Sequence, residues 1–581
     1  MNDDDFEIKP GRIRDRTSGL RKARTLKAQL RALSNRAGHG GRSGRSSPRR
    51  GTGRLARGRI ANLRANSRCS HRRVIVKARV VRHRGSRFAA APLAQHLTYL
   101  KRDGVTRDGK EAELFGADPE PVDGKVFAER CADDRHHFRF IVSPEDAGEL
   151  ADVRAFTREL LADMEKDLGT GLDWVAVDHW NTDNPHIHIL VRGKADDGRD
   201  LVIDKDYIRE GMRSRAEARI SLELGPRSER EVERAFVREI DADRWTSLDR
   251  RLLRMADELD GVIDLRPDPQ RPANPGNQHL ISRATKLESM ELADRIAPGC
   301  WRLKPGLEQS LRELAVRGDI IKTMHRAMTG QGLAVETGRF AIQVGTAPEP
   351  VIGRLVERGL HNELTGEAYA VIDGADGRVH HHTFNDIDLT GDAAPGAVVE
   401  LRTWTDRRGR EQSSLWTHSD LDLAAQQNAL GATWLDKQIV ASEPLALGAG
   451  FGVEIDAAKT RRLEYLEAEG LAKRQGNRFV LSRNLLGTLR DRDLAEAGSA
   501  LSREHNLPYR LERPSGEVSG VYRGRIQLAS GRFAMIDDGL GFSLVPWSKQ
   551  LDRHLGQYVS GASRSGGGIE WTLGRSRGIE I

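Results

Sequence analysis

The sequence predicts a multi-domain α+β protein: an N-terminal antiparallel sheet with helices, followed by a duplicated half that alternates helical units with small β-barrels. Three observations predict this. The chain has 581 residues, more than one core normally encloses. Its first structured stretch interleaves apolar runs of strand type with one of helical period. Its second half repeats itself, which marks a duplicated structural unit.

The chain opens on a leader of unusual charge. Between Gly11 and Arg87 there are 25 Lys and Arg against a single acid, Asp15, a local charge of +24, so the rest of the chain carries −16 of the net +8. Stretches such as Arg42-Ser-Gly-Arg-Ser-Ser-Pro-Arg-Arg50 hold too few apolar groups to bury a core. Residues 1–71 are therefore expected to form a basic, disordered leader that attracts phosphate backbones without reading sequence. A purely solubilising role, or docking to a protein complex, fits the same composition. No run of about 18 apolar residues is present, so no membrane span is expected. The opening Met-Asn-Asp-Asp-Asp lacks the apolar stretch of a signal peptide. Cys69, Cys131 and Cys300 are widely scattered. That spacing excludes a disulfide framework or a Cys-Cys zinc pair and fits the reducing cytoplasm, the expected location.

Order is expected from Arg72. Val74–Val81 reads as a strand, Phe88–Leu100 as a helix ending at Asp103-Gly104, and His137–Val142 as a second strand. Ser143-Pro144-Glu145-Asp146 supplies an N-cap, a proline at the first helical position and an early acid. Leu150, Val153, Phe156, Leu160, Leu161, Met164 and Leu168 continue at helical spacing, and Gly169 closes the helix. Trp174–His179 and Ile187–Val191 are two strands joined by a turn through Asn184-Pro185. These elements make an α+β domain over residues 72–230.

In the second half, Leu287–Arg295 matches Leu466–Arg474, both ending Leu-Ala-x-Arg, and Leu303, Leu307, Leu311 and Arg312 match Leu481, Leu485, Leu489 and Arg490. Each copy reads helix, corner, short strand, helix, which resembles a winged-helix unit. Thr365–Asp373 echoes Ser530–Asp537 within Gly-rich, alternating segments, expected to be small β-barrels. The expected division is a helical unit at 231–345, a barrel at 346–404, an insert plus second helical unit at 405–510, and a second barrel at 511–581.

The residues that carry chemistry are clustered. His186 and His188 lie two apart on a strand, so their rings share a face. His179 ends the neighbouring strand. Three neutral imidazoles within ten residues fit a catalytic metal site that keeps coordination positions open; a histidine cluster without metal is the plainer reading. His380-His381-His382, by contrast, alternates faces and reads as an exposed barrel strand. Tyr99, in Gln95-His-Leu-Thr-Tyr-Leu-Lys-Arg, sits at a helix end beside Lys101 and Arg102. A free phenol has a pKa near 10, so its phenolate costs roughly 4 kcal/mol at pH 7, which adjacent cations would offset. The residues leave it open whether Tyr99 is a nucleophile or packs with Leu97 and Leu100. Tyr207 continues an apolar helix face with Ile208 and Met212 and reads as packing.

The segment His-Trp-Asn-Thr-Asp-Asn-Pro-His-Ile-His at 179–188 resembles the third motif of conjugative relaxases, the mobilisation branch of the HUH endonucleases that includes the T-DNA border nickase. Tyr99 matches their first-motif nucleophile in order and setting. The resemblance covers roughly 72–230, and the duplicated half looks like a domain of unknown function often fused to such enzymes. It implies an HUH-type antiparallel sheet, Tyr99 as nucleophile, and His179, His186 and His188 as ligands of a divalent metal, Mg²⁺ or Mn²⁺. Asp183 matches an acidic position that would orient a histidine or assist proton transfer. Asn181 stands where the family often has Asp, and the long basic leader is atypical. The implied activity is site- and strand-specific nicking and religation of single-stranded DNA at a transfer origin, with accessory relaxosome and type IV secretion coupling proteins as partners. Arg135 and Arg139 are candidate phosphate contacts, with a solvated face as the plainer role. Rival readings are a rolling-circle replication initiator, a non-catalytic DNA-binding scaffold and a metallonuclease that uses water. The chain has no P-loop of the Gly-x-x-x-x-Gly-Lys-Ser/Thr type.

Overall fold

The computed structural model describes residues 72–83, 93, 96–98, 100–101, 106–107, 112–180, 185–257, 261–266, 276–341, 350–476, 478–510, 517–563 and 568–572. The basic leader lies outside them, as does most of the expected helix 88–100, whose described positions are helical. The chain divides into two compact units, Met1–Arg238 and Glu239–Ile581. Both are mixed α/β with antiparallel sheets.

The first unit is built on four strands, β1 (Val74–Arg82), β2 (His136–Pro144), β3 (Trp174–His179) and β4 (His186–Arg192), in the order β1-β2-β4-β3 and antiparallel throughout. Alternation gives the sheet two different faces. Val74, Val76, Phe138, Phe140, Val142, Trp174, Ala176, Ile187, Ile189 and Val191 pack on one core with the helix Val153–Leu168 and the helix Met212–Leu224. The opposite face carries Val175, Val177 and Leu190. It is covered by Leu93, Leu97, Leu100 and Phe127, the last from the short helix α1 (Gly124–Arg130).

The helix α2 (Val153–Leu168) begins later than its sequence suggests. Strand β2 runs through Pro144, and the Glu145 N–H donates to the Arg73 carbonyl at 3.1 Å. The Ser-Pro-Glu-Asp segment therefore serves the sheet. The N-cap is Asp152, whose carboxylate accepts from the N–H groups of Arg154 and Ala155. At the far end Gly169 takes φ +63°, the left-handed conformation that only glycine adopts without strain, and caps the helix as expected. Helix α3 (Met212–Leu224) completes this core, and α4 (Glu229–Asp241) leads the chain into the second unit.

The second unit shows the duplication in three dimensions. Helix α5 (Ser247–Asp257), strand β5 (Val262–Asp264), helix α6 (Gly276–Ser289), the hairpin β6 (Ala293–Ala297) and β7 (Cys300–Leu303), and helix α7 (Leu307–Gly330) form the first copy. Its three strands lie in the order β5-β7-β6. A short strand β8 (Phe340–Ala341) precedes β9 (Val351–Asn362), β10 (Glu367–Gly374), β11 (Val379–Phe384), β12 (Val398–Thr405) and β13 (Glu411–Ser419). The second copy has short helices α8 (Leu423–Gln427) and α9 (Trp434–Ile439), helix α10 (Phe451–Ala468), hairpin β14 (Ala472–Gln475) and β15 (Arg478–Leu481), and α11 (Leu485–His505). Strands β16 (Glu517–Leu528), β17 (Gly531–Asp537), β18 (Phe542–Pro546), β19 (Tyr558–Ser563) and β20 (Ile569–Thr572) follow.

The repeat is wider than its sequence echo. Thr246 and Asp249 cap α5, and Arg283 of α6 binds Asp249 bidentately plus the carbonyls of Ile240, Ala242 and Arg244. Thr433 and Asp436 form the same box on α9, and Arg462 of α10 binds Asp436 plus the carbonyls of Gln427, Ala429 and Gly431. Arg283 and Arg462 each stand four residues before the matched leucines. Both ion pairs have fully buried side chains. Removing one partner would strand a charge without solvent, at a cost of about 3–5 kcal/mol. Arg462→Ala is accordingly expected to lower the chemical-denaturation stability of the second unit by that amount, whereas Arg461→Ala, at the exposed neighbouring position, should leave it within about 0.5 kcal/mol.

The barrels expected at 346–404 and 511–581 are open sheets. One has six strands in the order β13-β12-β9-β10-β11-β8, the other five in the order β18-β17-β16-β19-β20, and neither closes among the described residues. In the first, β8 pairs with β11 over only two positions, in parallel. In the second, the outer side of β18 meets Tyr509. Strand β13, which the sequence assigns to an insert, is the edge of the six-stranded sheet. No helix of the described residues is long and apolar enough to cross a membrane.

Candidate metal centre

The register of β3 and β4 assembles the histidines. His179 pairs directly across from His186, and His188 is opposite Val177 on one side and Ile141 on the other. All three rings thus project from the face that carries Leu100 and Leu97, and all are buried. Ring centroids are 4.5 Å apart for His179–His188, 4.9 Å for His186–His188 and 5.4 Å for His179–His186. One nitrogen from each ring lies within 4.8 Å of the others.

Two contacts set the chemistry. The Nε2 atoms of His186 and His188 face each other at 3.1 Å. Two imidazoles bound to one ion at about 2.1 Å, with an angle near a right angle or somewhat wider, have nitrogens roughly 3 Å apart. The spacing fits a shared cation. The Nε2 of His179 lies 2.8 Å from the Leu100 carbonyl. A carbonyl only accepts, so Nε2 carries the proton and the lone pair sits on Nδ1, the nitrogen that could face a metal. Three imidazole nitrogens on a rigid sheet are a donor set that could hold a divalent ion with open positions.

The turn between the strands is anchored at its exit, where the Ser143 hydroxyl donates to the Pro185 carbonyl at 3.0 Å. Asp183 and Asn181, in that turn, lie outside the described residues, as does Tyr99. Its neighbours Leu97 and Leu100 are described and buried. At the start of the segment, the Trp180 indole N–H donates to Asp178 at 2.7 Å.

Basic residues that the sequence reading passed over share the histidine face. Lys77 is aligned with Ile141 and, through it, His188; Arg79 is aligned with Arg139 and Leu190. At about 4.8 Å per strand, Lys77 stands roughly 10 Å from His188. The alternation Val74-Ile-Val-Lys-Ala-Arg79 carried the signal, since Lys77 and Arg79 are two apart. Arg139 donates to His137 Nε2 at 3.0 Å, and His137 Nδ1 meets His83 Nε2 at 2.7 Å, with His83 Nδ1 donating to the Asp134 carbonyl. Burial first, and then the Arg139 charge, hold His137 neutral well below the usual imidazole range. Arg135 is exposed and pairs with Asp200 at 3.3 Å. Tyr207 is buried and its hydroxyl donates to Asp167, so burial and that carboxylate raise its pKa. It packs, as its helix pattern suggests.

A family model described as a protein of unknown function (DUF3363) matches residues 280–412 and again 402–580, together just over half of the chain. The chain belongs to this family. The DUF3363 region therefore coincides with the duplicated half and leaves the three histidines outside it. No curated protein and no solved structure matches the chain.

Within the DUF3363 region, His380-His381-His382 lies on β11 and does not converge on one point. His380 bonds to Asp376 at 3.0 Å, His381 stacks on Tyr369, and His382 meets the edge of Phe384. The expectation of an exposed strand fails here, because β11 is covered on both sides by β10 and β8 and its histidines are half-buried or buried. Burial pushes His381 and His382 down to about 4. In the unfolded chain they titrate near 6.5. As pH falls below that value the unfolded state takes up protons that the folded state refuses, so stability is full above about pH 7 and declines toward pH 4. Urea midpoints should fall over this range, and His382→Phe should shrink the fall.

Proposed function

We propose that the first unit is a metal-dependent tyrosine DNA endonuclease and strand transferase of the relaxase type, built on an HUH-type sheet and acting at a transfer origin in single-stranded DNA. The observation that carries the reading is the 2.8 Å contact from the Leu100 carbonyl to His179. It ties the histidine cluster to the residue after Tyr99, across 79 positions of sequence. A described residue one position from the proposed nucleophile is thereby in hydrogen-bond contact with the histidine cluster, which supports a reaction that needs nucleophile and phosphate held together.

In the proposed reaction the Tyr99 phenolic oxygen attacks the scissile phosphorus. The bond from phosphorus to the 3′ oxygen breaks, leaving a 5′-phosphotyrosine and, once protonated, a free 3′-OH. The phenol proton passes to a base, for which Asp183 is the candidate. His179 Nδ1, His186 and His188 would hold the divalent ion, Mg²⁺ or Mn²⁺; when bound, it supplies positive charge at the phosphate. Lys77, Arg79 and Arg139 lie on the same face and are suited to neighbouring phosphates. The buried leucines around the cluster limit water, which favours capture by tyrosine over hydrolysis. Reversal by a 3′-OH religates the strand.

For the second unit, the order helix, strand, helix and hairpin, with the three strands joined as β5-β7-β6, supports a winged-helix-like reading of its first copy. The basic leader suits phosphate backbones or partner proteins of a transfer complex, such as relaxosome and secretion coupling proteins. The test is direct. The full chain is incubated with origin-containing single-stranded DNA and Mg²⁺ or Mn²⁺, then resolved under denaturing conditions. A metal-dependent adduct is expected; cleavage with no adduct would identify a water-using nuclease.

A further inference from the structure

The edge hairpin of the six-stranded sheet exposes two tryptophan rings. In β12 and β13, Glu400 pairs with Trp416, Arg402 with Ser414, and Trp404 with Gln412, so these six side chains share one face. Leu401 and Leu415 alternate inward to the core. Trp404 and Trp416 stay 47% and 54% exposed, and they are the exposed tryptophans among the described residues. Two tryptophan faces left in water on one side of a strand pair offer flat surface on which a planar ligand can stack.

The chemistry between and beyond the rings narrows the ligand. The Arg402 guanidinium lies 4.6 Å from the Trp416 ring centroid and is held there by Glu400, to which it donates at 2.6 Å. The ladder sets the two rings about 13 Å apart along the strands. The cross-strand pair between them is Arg402 and Ser414, with no aliphatic side chain, so the face lacks the apolar centre of a protein interface. At the tip, Asp406 is consumed internally: its carboxylate accepts from the Arg408 and Arg410 N–H groups and from the Arg410 guanidinium. Gly409, at φ +71°, closes that turn. Arg407 and Arg408 are exposed there and outweigh the remaining tip acid, Glu411. Ring faces stack on bases of any identity, and guanidiniums beside them take phosphates.

We propose that the β12–β13 hairpin is a stacking platform for single-stranded nucleic acid, with bases on Trp404 and Trp416 and the backbone on Arg407 and Arg408. The platform belongs to the DUF3363 half and does not depend on nicking by the first unit.

The test uses the full chain in EDTA, where no cleavage is expected, with short oligo-dT, oligo-U and a duplex as probes. The difference in tryptophan emission between the wild type and W404A/W416A reads the hairpin among the nine tryptophans of the chain, and fluorescence anisotropy reads affinity. Oligo-dT, oligo-U or both should quench the wild-type emission, which distinguishes DNA from RNA as the source. In W404A/W416A the part of the quench due to these two rings should be lost, leaving a smaller fractional quench, and affinity should fall on the order of tenfold or more. R407A/R408A should weaken binding and flatten its salt dependence. Both rings are exposed, so thermal unfolding of W404A/W416A should match the wild type and exclude misfolding. Unchanged quenching and affinity in W404A/W416A would overturn the proposal and assign the hairpin to a protein partner. Equal, hairpin-dependent quenching by the duplex would also overturn it, since paired bases offer no free faces. The nicking reading rests on the Tyr99 adduct, so either result leaves that reading untouched.

Discussion

Tyr99→Phe will form no denaturant-resistant protein–DNA adduct, and strand cleavage will fall by on the order of 10⁴-fold or more, the scale seen when a covalent nucleophile is removed. The substitution deletes one oxygen and keeps the ring. If Tyr99 serves only to pack beside Leu97 and Leu100, which are buried under the sheet, phenylalanine replaces it silently. The two roles therefore give opposite results in one gel. Oligonucleotide affinity should persist, because Lys77, Arg79 and Arg139 remain on the histidine face. The phenolate is expensive at neutral pH, roughly 4 kcal/mol from its ordinary pKa. Cleavage by the wild type should therefore rise with pH until local cations no longer limit ionisation.

His188→Ala comes next in size. His188 is buried, sits on an interior strand, and places its Nε2 3.1 Å from that of His186. Removing it leaves two nitrogens of three, and a site with two neutral ligands holds Mn²⁺ far more weakly. Cleavage is expected to fall by about 10²–10³-fold at a metal concentration that saturates the wild type, with partial recovery as Mn²⁺ is raised. Calorimetric titration of Mn²⁺ into the uncleaved complex reads the same loss without relying on activity. Manganese affinity equal to wild type would remove His188 from the ligand set. Unfolding in the absence of metal separates this from the cost of the cavity.

Much of the first unit is legible in sequence because its strands alternate cleanly. Trp174–His179 appears as read, and β1 and β4 extend their predicted spans by only one or two residues. The start of α2 differs from the sequence expectation because Ser-Pro-Glu-Asp carries good capping chemistry, yet Pro144 also suits a strand end, and Asp152 holds the capping role. Propensity cannot tell which of two caps a chain will use; the pairing of β2 with β1 decides it. The convergence of three histidines followed from period and spacing. The Leu100 carbonyl could not, because backbone atoms carry no sequence signature. In the second half the echoes of Leu-Ala-x-Arg revealed the duplication. The buried Thr, Asp and Arg clusters lay beyond the echo, since Asp249 and Arg283 are 34 residues apart but Asp436 and Arg462 only 26. Closure into barrels does not follow from the sequence: alternating, Gly-rich strands fix a sheet but not whether its edges meet.

The measurement closest to the central claim is mass spectrometry of the protein–DNA adduct after nuclease and protease digestion. The account predicts one modified peptide, spanning Tyr99 and carrying a deoxynucleotide 5′-phosphate on its phenolic oxygen, formed only with divalent metal present. A nucleotide on another residue, or cleaved DNA with a free 5′-phosphate and no modified peptide, would contradict it.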